Sequence, residues 1–339
     1  MRLRLTQSDG LEIAGVPFAI DAGRVQDLGI VSHAHTDHAA RHRKIIATPE
    51  TALLLGERWK RPTLRAVPFD QPVSFEGTRL TLLGAGHILG AAMVLVEHEG
   101  TRLLYTGDLR TTDSLLFEGA RPVACDILIT EATFGRLEFA FPPPERIRQL
   151  LRGFVDAARS SGYSPVLTGY ALGKAQELVA LLGEYHEPVW VHPKIARYCE
   201  LYRKAGIALP PVEIPSAGTP AGALVVMPPN FMRTEWRAKV ARPRTCFCSG
   251  WAQDKGRGGW HAADLMVPFS DHADCRGLVE FAVATGARKV YTTHGFAGEL
   301  AELLRTRGMD AQMAPLQWVS GLEVGVPQFS AETLDLFES

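Results

Sequence analysis

Three histidines and an aspartate lie within six positions of the sequence, in the stretch SHAHTDH that follows a short apolar run. The pattern is H-x-H-x-D-H, and its members are His33, His35, Asp37 and His38. Neutral imidazole and carboxylate are ligands that suit Zn²⁺, Mn²⁺ or Fe²⁺. We expect a strand end, a loop and the start of a helix here, so that alternate side chains converge on one point. Because four ligands from one loop cannot all bind one tetrahedral ion, the cluster predicts two ions side by side.

Four further residues suited to a metal site or to acid–base chemistry lie far from this cluster in the sequence. His87 stands in the glycine-rich segment GAGHILGAA, Asp108 ends LLYTGD, and His272 and His294 each follow a predicted strand. Each alone would be typical of a core or turn residue. Beside the histidine cluster, Asp108 suits a carboxylate that bridges two cations, and the two late histidines offer one more ligand and a proton donor.

Length and composition describe an ordinary globular chain. The 339 residues suggest roughly two domains, and the shares of 46% hydrophobic and 22% charged residues are those of a globular protein. The net charge of −1 argues neither for nor against nucleic acid as a partner. The N-terminus MRLRLTQSDG has no apolar core of a secretory signal, and no run reaches the ~18 apolar residues of a membrane helix. The five cysteines are odd in number and scattered, which argues against a disulfide framework. We expect a cytoplasmic protein with no membrane partner.

The organisation of the chain changes near residue 140. Residues 1–110 predict short strands joined by tight turns, including a hairpin in which Gly100 takes a positive φ. The segment ACDILITEATFG predicts a buried strand that ends at Glu131. Three prolines, 142–144, then mark a boundary. After them, strands and helices alternate in the pattern of an α/β fold with parallel strands.

These motifs resemble a known family. H-x-H-x-D-H, the histidine in a glycine-rich segment and TGD are similar to the metallo-β-lactamase superfamily. DILITEATFG, YALGKAQEL, FSDHAD and THG resemble its β-CASP nuclease branch, and CSGWA before FSDHADCRGL is most similar to the bacterial ligase-associated DNA exonucleases. The resemblance covers nearly the whole chain. It implies an α/β architecture, an αββα sandwich of residues 1–140 and 266–339 with an α/β β-CASP domain inserted at 141–265.

The resemblance also implies the ligands of two divalent ions, Zn²⁺ or Mn²⁺. One ion would be held by three histidines, a second by an aspartate and two histidines, and Asp108 would bridge them. The first set is His33, His35 and His87, and the second is Asp37, His38 and His294. Asp21, in FAIDAGR, would orient ligands from behind, as metal-bound histidines require.

Two further residues acquire catalytic roles from the same resemblance. His272 would protonate the leaving oxygen, and Glu131 would help to position it. Together with Asp37 at the metal site, they form the predicted catalytic set. Asp271, directly before His272, receives no role.

The turn GYALGKA offers a candidate phosphate contact. It is one residue short of a nucleotide-binding loop, and Ala175 replaces the Ser or Thr that binds the metal, which argues against ATP hydrolysis. A strand, a glycine turn and a helix still offer backbone N–H groups and Lys174 to an anion. In the family's layout this turn faces the nuclease cleft, so Gly173 and Lys174 are predicted to bind a substrate phosphate.

A basic stretch with interleaved tryptophans suits contact with phosphates and stacking on bases. Its basic residues are Arg233, Arg237, Lys239, Arg242, Arg244, Lys255 and Arg257, and its tryptophans are Trp236, Trp251 and Trp260. We predict that Trp251 contacts the substrate, and the alternative is a solvated face with core tryptophans. Cys246 and Cys248 are predicted to be buried structural residues, because no second pair accompanies them.

The sequence therefore predicts a two-metal phosphodiesterase that cleaves DNA, as a 5′ exonuclease in repair that works with an ATP-dependent DNA ligase. His294 favours the alternative of an RNA nuclease of the mRNA 3′-end-processing type, since RNA-processing relatives often have histidine there. A small-molecule metallo-hydrolase is opposed by the insertion at 141–265. A non-catalytic scaffold is opposed by the presence of every expected ligand type.

Overall fold

The computed structural model describes residues 2–6, 10–59, 63–75, 77–254 and 263–314. The predictions for Lys255, Arg257 and Trp260 lie outside these residues. The described residues form three sheets. Among the described helices, none combines the length and apolar character that a membrane span requires.

The first sheet contains six short strands that follow one another in chain order. They are β1 (Leu3–Thr6), β2 (Gly10–Ile13), β3 (Ala19–Ile20), β4 (Leu28–Ile30), β5 (Lys44–Ala47) and β6 (Leu64–Ala66). Helix α1 (Pro49–Arg58) joins the last two, where the sequence analysis predicted strands alone. The signal for this helix was present: the Thr48 side chain accepts a hydrogen bond from the backbone N–H of Thr51, and proline occupies the first turn.

The second sheet begins with five strands in the same half of the chain. They are β7 (Val73–Phe75), β8 (Thr78–Gly84), β9 (Ala92–His98), β10 (Thr101–Tyr105) and β11 (Ile127–Glu131). The predicted hairpin joins β9 to β10, and both turn residues have positive φ, 50° at Glu99 and 72° at Gly100. The predicted buried strand is β11, which ends at Glu131 and pairs in parallel with β10.

The third sheet spans residues 164–267, and all of its strand pairs are parallel, as the alternation of strands and helices predicted. Its order is β14-β13-β15-β12-β16-β17. The strands are β12 (Ser164–Thr168), β13 (Val189–Val191), β14 (Val212–Glu213), β15 (Val225–Met227), β16 (Pro243–Cys248) and β17 (Leu265–Val267). Its helices are α2 (Pro144–Ser160), α3 (Lys174–Leu182) and α4 (Pro193–Lys204), with short 3-10 turns at Gly183–Tyr185, Phe231–Arg233, Glu235–Lys239 and Gly250–Gln253.

The chain then returns to the second sheet. Helix α5 (Cys275–Ala284), strand β18 (Lys289–Thr293), helix α6 (Ala297–Thr306) and strand β19 (Ala311–Met313) follow in order. The completed sheet has the order β19-β18-β11-β10-β9-β8-β7. The strand β18 pairs in parallel with β11, so segments that precede and follow the third sheet in the chain complete one sheet.

Alternation along the strands divides the first two sheets into an inner and an outer face. Ile46 of β5 and Ile129 of β11 belong to one buried cluster between the sheets. Ile45 and Leu128, their neighbours in sequence, instead belong to the cluster that contains residues of α1, α5 and α6. Helices therefore cover the outer faces of two packed sheets, an αββα arrangement. The domain boundaries at 140 and 266 remain a prediction.

The third sheet has a core of its own. Leu167 of β12 packs with residues of α2, α3 and α4. Cys246 and Cys248 lie in the same core, and both thiols are free and buried. The structure therefore confirms that these two cysteines are buried core residues.

Candidate metal centre

The candidate ligands meet where several strands of the first two sheets end. His33 lies three residues beyond β4, Asp108 lies three beyond β10, and His294 directly follows β18. Because β10, β11 and β18 are parallel neighbours, their carboxyl ends lie at one edge of the sheet. The H-x-H-x-D-H segment forms a loop of bends and turns, and no helix begins in it, contrary to expectation.

Three histidines and Asp108 converge on one position. Nδ1 of His35 lies 3.2 Å from Nε2 of His33 and 3.2 Å from Nε2 of His87. Oδ2 of Asp108 lies 3.5 Å from His33 Nε2 and 3.7 Å from His87 Nε2. One ligand atom from each of the four residues therefore lies within 4.8 Å of the others. The structure brings together the first predicted set, and the donors suit a divalent ion.

The second predicted set is more open. Oδ1, the other oxygen of Asp108, lies 3.5 Å from Nε2 of the buried His38. The same nitrogen lies 3.7 Å from Oδ2 of Asp37, whose side chain is 67% exposed. The ring of His294 lies 5.6 Å from that of His38 and is exposed. The two oxygens of Asp108 thus face the two sets of histidines, and the second set borders solvent.

Glycines shape the segment that carries His87. A Cβ at Gly86, where φ is 70°, would lie 2.7 Å from the carbonyl oxygen of Arg110. A Cβ at Gly90 would lie 2.5 Å from the backbone nitrogen of Thr51. The structure therefore confirms that these two glycines allow close approach of the backbone. Gly84, the third glycine of the segment, has open space around it.

Three of the clustered histidines use their second ring nitrogen for a hydrogen bond that fixes the ring. His33 Nδ1 lies 3.0 Å from Ser32 Oγ, and His38 Nδ1 lies 2.8 Å from Asp21 Oδ2. His87 Nδ1 donates to the carbonyl oxygen of Asp271 at 2.9 Å. Outer partners of this kind orient metal-binding histidines, so the arrangement fits a metal centre.

The predicted position of Asp21 behind the ligands agrees with the structure. Besides its contact with His38, its carboxylate accepts hydrogen bonds from the Ser32 backbone at 2.7 Å, the Ser32 hydroxyl at 2.5 Å and the Tyr105 hydroxyl at 3.1 Å. Sequence reasoning missed Ser32 and Tyr105. Ser32 had a weak sequence signal, because it stands directly before the first histidine. Tyr105 had none, because only the packing of the second sheet on the first brings it near Asp21.

Burial and neighbouring charges set the protonation of these histidines. Burial, with a smaller effect of nearby imidazoles, lowers the pKa of His33 and lowers that of His87 to about 3. Both rings are neutral at pH 7, which is the form that binds metal ions. For His38, burial opposes the charge, but Asp108 and Asp21 outweigh it and raise its pKa to about 10, so a metal ion at this ring would have to displace a proton.

His272 lies at the rim of the cluster and is held by a buried carboxylate. Its Nδ1 lies 3.0 and 3.1 Å from the two carboxylate oxygens of Glu131, and its ring lies 4.5 Å from that of His87. Burial would lower the pKa of His272, but Glu131 and Asp108 raise it to about 9. The ring can therefore carry a proton at neutral pH, and its position agrees with the predicted pair.

The structure gives Lys174 and Gly173 different partners from those expected. Lys174 is buried, and its Nζ lies 3.0 Å from Oδ1 of Asp271. The Gly173 N–H donates to Gln176 Oε1 at 2.8 Å. A Cβ at Gly173, where φ is 96°, would lie 2.3 Å from Cγ2 of Ile88. Both groups expected to bind phosphate are thus occupied by protein, and the glycine is required by close packing.

Two tryptophans of the basic stretch, Trp236 and Trp251, lie against apolar side chains. Trp251 packs with Phe134 at 4.8 Å and Phe139 at 5.5 Å between ring centroids. Phe134 in turn lies 5.9 Å from the ring of His272. Trp236 packs against the apolar cluster on one face of the third sheet. These contacts place Trp251 near the site and agree with a packing role for Trp236, while stacking of Trp251 on a base stays a prediction.

The two packed sheets, their covering helices and the buried His/Asp cluster define a metallo-β-lactamase fold with a candidate metal centre. No protein-family model matches the chain. It is 36% identical over 326 residues to a protein of Opitutus terrae named probable DNA ligase, which covers 94% of this chain and 32% of that protein.

Other relatives include a cleavage factor subunit and a protein named endoribonuclease. The chain is 30% identical over 217 residues to cleavage and polyadenylation specificity factor subunit 3 of Dictyostelium discoideum, with 51% of this chain and 28% of that protein covered. It is 29% identical over 241 residues to endoribonuclease ysh-1 of Neurospora crassa, with 57% and 28% covered. The chain spans about a third of the length of these curated relatives. It is a relative of the β-CASP branch of metallo-β-lactamase enzymes.

Proposed function

We propose that the chain is a metal-dependent phosphodiesterase that cleaves nucleic acid, with DNA as its preferred substrate. The observation that carries the proposal is the placement of Asp108, whose two oxygens face two sets of histidines. Such a carboxylate suits two divalent cations side by side, Zn²⁺ or Mn²⁺. The chain's similarity to endoribonuclease ysh-1 supports nucleic acid as the substrate class.

We assign the ligands as the sequence predicted. His33, His35 and His87 would hold one ion, Asp37, His38 and His294 would hold the other, and Asp108 would serve both. When bound, the ions would neutralise charge on a phosphate and lower the pKa of a water molecule toward neutrality. The exposure of Asp37 and His294 leaves this side of the centre open to a long substrate.

Side chains of the protein then supply the proton for the leaving group and orient the candidate ligands. Glu131 holds Nδ1 of His272, which leaves Nε2 to carry a proton toward the leaving sugar oxygen. The cleaved P–O bond requires that proton, because an alkoxide is a poor leaving group at neutral pH. A positioned acid of this kind contributes typically about 10²–10⁴-fold in rate. Asp21, with Ser32 and Tyr105 around it, keeps His38 in orientation.

The choice of DNA and the mode of cleavage rest on similarity. The Opitutus terrae relative is named a probable DNA ligase, which favours DNA and a functional link to a DNA ligase. The expectation that this ligase is ATP-dependent comes from the sequence resemblance. The proposal of a 5′ exonuclease in DNA repair rests on the motif resemblance to bacterial ligase-associated DNA exonucleases. RNA is the second candidate, because a histidine stands at position 294 and two relatives named above are an endoribonuclease and a cleavage factor subunit.

The test uses matched DNA and RNA strands, single and double stranded, labelled at either end and incubated with Mn²⁺ or Zn²⁺. We expect DNA to be shortened from its 5′ end, and Asp108→Asn protein from the same preparation serves as the control for contaminating nucleases. Products from RNA alone would reject DNA as substrate. Internal products would reject the exonuclease mode, and the absence of metal-dependent products from every strand would reject the proposed function.

A further inference from the structure

The start of helix α3 reaches the metal centre, although this helix packs in the core of the third sheet. We refer to residues 172–177, LGKAQE, as the α3 entry segment. Three of its residues contact the loops that carry the candidate ligands. None of these contacts was predicted from the sequence, which assigned Gly173 and Lys174 to a substrate phosphate.

The first contact fixes a histidine through the backbone. The carbonyl oxygen of Leu172 accepts a hydrogen bond from Nε2 of His35 at 3.3 Å. With its proton on Nε2, the His35 ring presents Nδ1 as a lone pair. That nitrogen is the one that lies 3.2 Å from both His33 and His87. The contact therefore selects the tautomer that a metal ligand needs.

The second contact is a buried ion pair. Nζ of Lys174 lies 3.0 Å from Oδ1 of Asp271, and the two side chains are only 4% and 5% exposed. The backbone carbonyl of the same Asp271 accepts the Nδ1 hydrogen bond of His87 at 2.9 Å, and the next residue is His272. Lys174 thus holds a residue that orients one candidate ligand and precedes the candidate acid.

The third contact is another buried pair, one helical turn further along. The Glu177 carboxylate accepts two hydrogen bonds from Arg110, at 2.8 and 2.9 Å, and both side chains are buried. Arg110 lies two residues after Asp108, in the same loop. Lys174 and Glu177 are three positions apart, so they project from one face of α3 toward the two loops.

Buried ion pairs contribute little net free energy to folding stability, because the cost of desolvating both charges offsets much of their attraction. They do fix geometry, since each partner is costly to leave unpaired. We propose that the α3 entry segment is the outer support of the metal centre: it orients His35 and His87 and holds the loops that carry Asp108 and His272. Lys174 is then a positioning residue and makes no contact with the substrate. This inference rests on the metal centre of the proposed function.

The test compares Lys174→Met with wild-type protein and with Arg159→Met, which removes a surface pair with Glu187 in the same region of the fold. The first readout is Mn²⁺ affinity, measured by competition with a chelating dye in the absence of nucleic acid. Loss of an outer-shell partner costs typically about 10–100-fold in metal affinity. We expect a loss of this size in Lys174→Met and none in Arg159→Met.

The second readout is cleavage kinetics at several salt concentrations. A positioning residue predicts a lower kcat for Lys174→Met, with KM within about twofold and an unchanged salt dependence. A residue that contacts a phosphate predicts a higher KM and a salt slope reduced by about one unit, with normal Mn²⁺ affinity. That second pattern, or wild-type Mn²⁺ affinity in Lys174→Met, would overturn the inference.

If Lys174→Met does not fold, the double variant Lys174→Met/Asp271→Asn replaces it. This variant leaves no unpaired buried charge, yet it lacks the ion pair. We expect its Mn²⁺ affinity to be lower than that of wild-type protein, and equal affinity would overturn the inference. Because the metal titration needs no substrate, its result is independent of whether the chain cleaves nucleic acid.

Discussion

Glu131 and His272 form a hydrogen-bonded pair across 141 positions of sequence, with 3.0 Å between Oε1 and Nδ1. Glu131 ends β11, and its Oε1 also accepts the backbone N–H of Leu109 at 2.7 Å. The carboxylate therefore joins the loop of Asp108 to the loop of His272. Its location at the end of a buried strand makes the pair a fixed element of the site.

We expect His272→Ala to bind Mn²⁺ as well as wild-type protein does and to lose about 10²–10⁴-fold in kcat, because the proton donor is removed and the ligands remain. Metal content and single-turnover cleavage measure the two properties. Glu131→Gln keeps the imidazole, and we expect a smaller loss of kcat for it. Turnover of His272→Ala at the wild-type rate would show that another group protonates the leaving oxygen.

Asp108→Ala should lose metal from both positions, since its two oxygens face two sets of histidines. Elemental analysis of purified protein should find about two ions per wild-type chain and less than one in the variant. His294→Ala should lose one ion, because its ring lies beside His38 and away from the first set. A full complement of metal in Asp108→Ala would contradict the bridging role.

Asp21→Asn should weaken metal binding without removing a ligand. The change keeps the size of the side chain but removes the charge that faces His38 Nδ1 at 2.8 Å. Outer-shell changes of this kind typically cost about 10–100-fold in affinity. Asp27→Asn is the matched control, because Asp27 is 88% exposed and lies 3.3 Å from Arg43 at the surface. Equal Mn²⁺ affinities in the two variants would argue against the orienting role of Asp21.

Bound metal should stabilise the folded chain, because an assembled site exists only in the native state. Mn²⁺ at 100 times its Kd adds about 2.7 kcal/mol to the free energy of unfolding for a single site. Thermal melts should therefore show a Tm that rises with Mn²⁺ concentration in wild-type protein and changes little in Asp108→Ala. The same rise in both proteins would indicate that Mn²⁺ binds elsewhere.

Gly173→Ala should destabilise the fold, because φ is 96° and a Cβ would lie 2.3 Å from Ile88 Cγ2. Backbone strain of this kind costs about 1–3 kcal/mol before any clash is added. Gly153→Ala is the control with the opposite expected sign, because Gly153 lies within α2 with open space around it. Alanine there should raise the free energy of unfolding by about 0.5–1 kcal/mol. Urea unfolding measures both changes. A destabilisation of equal size in both variants would contradict the packing argument.

The local elements followed from the sequence because their signals are local. The turn at Gly100, the buried strand that ends at Glu131 and the parallel strands after residue 160 all depend on residues within a few positions of one another. Helix α1 was missed despite its cap at Thr48, since the surrounding strands dominated the pattern. The sequence also determined which residue types suit a metal, because imidazole and carboxylate carry that chemistry in any fold.

Tertiary structure alone decided what Lys174, Asp271, Tyr105 and Glu177 contact. In sequence, GYALGKA has the form of a phosphate-binding turn, but folding buries Lys174 against a carboxylate 97 positions away. Such partners depend on how the third sheet docks on the other two. Docking follows from the burial of many apolar side chains spread along the chain, and no short pattern encodes it. The residues of the candidate metal centre and the orienting carboxylate of Asp21 could therefore be predicted from the sequence, while the contacts made by Lys174, Glu177 and Tyr105 could not.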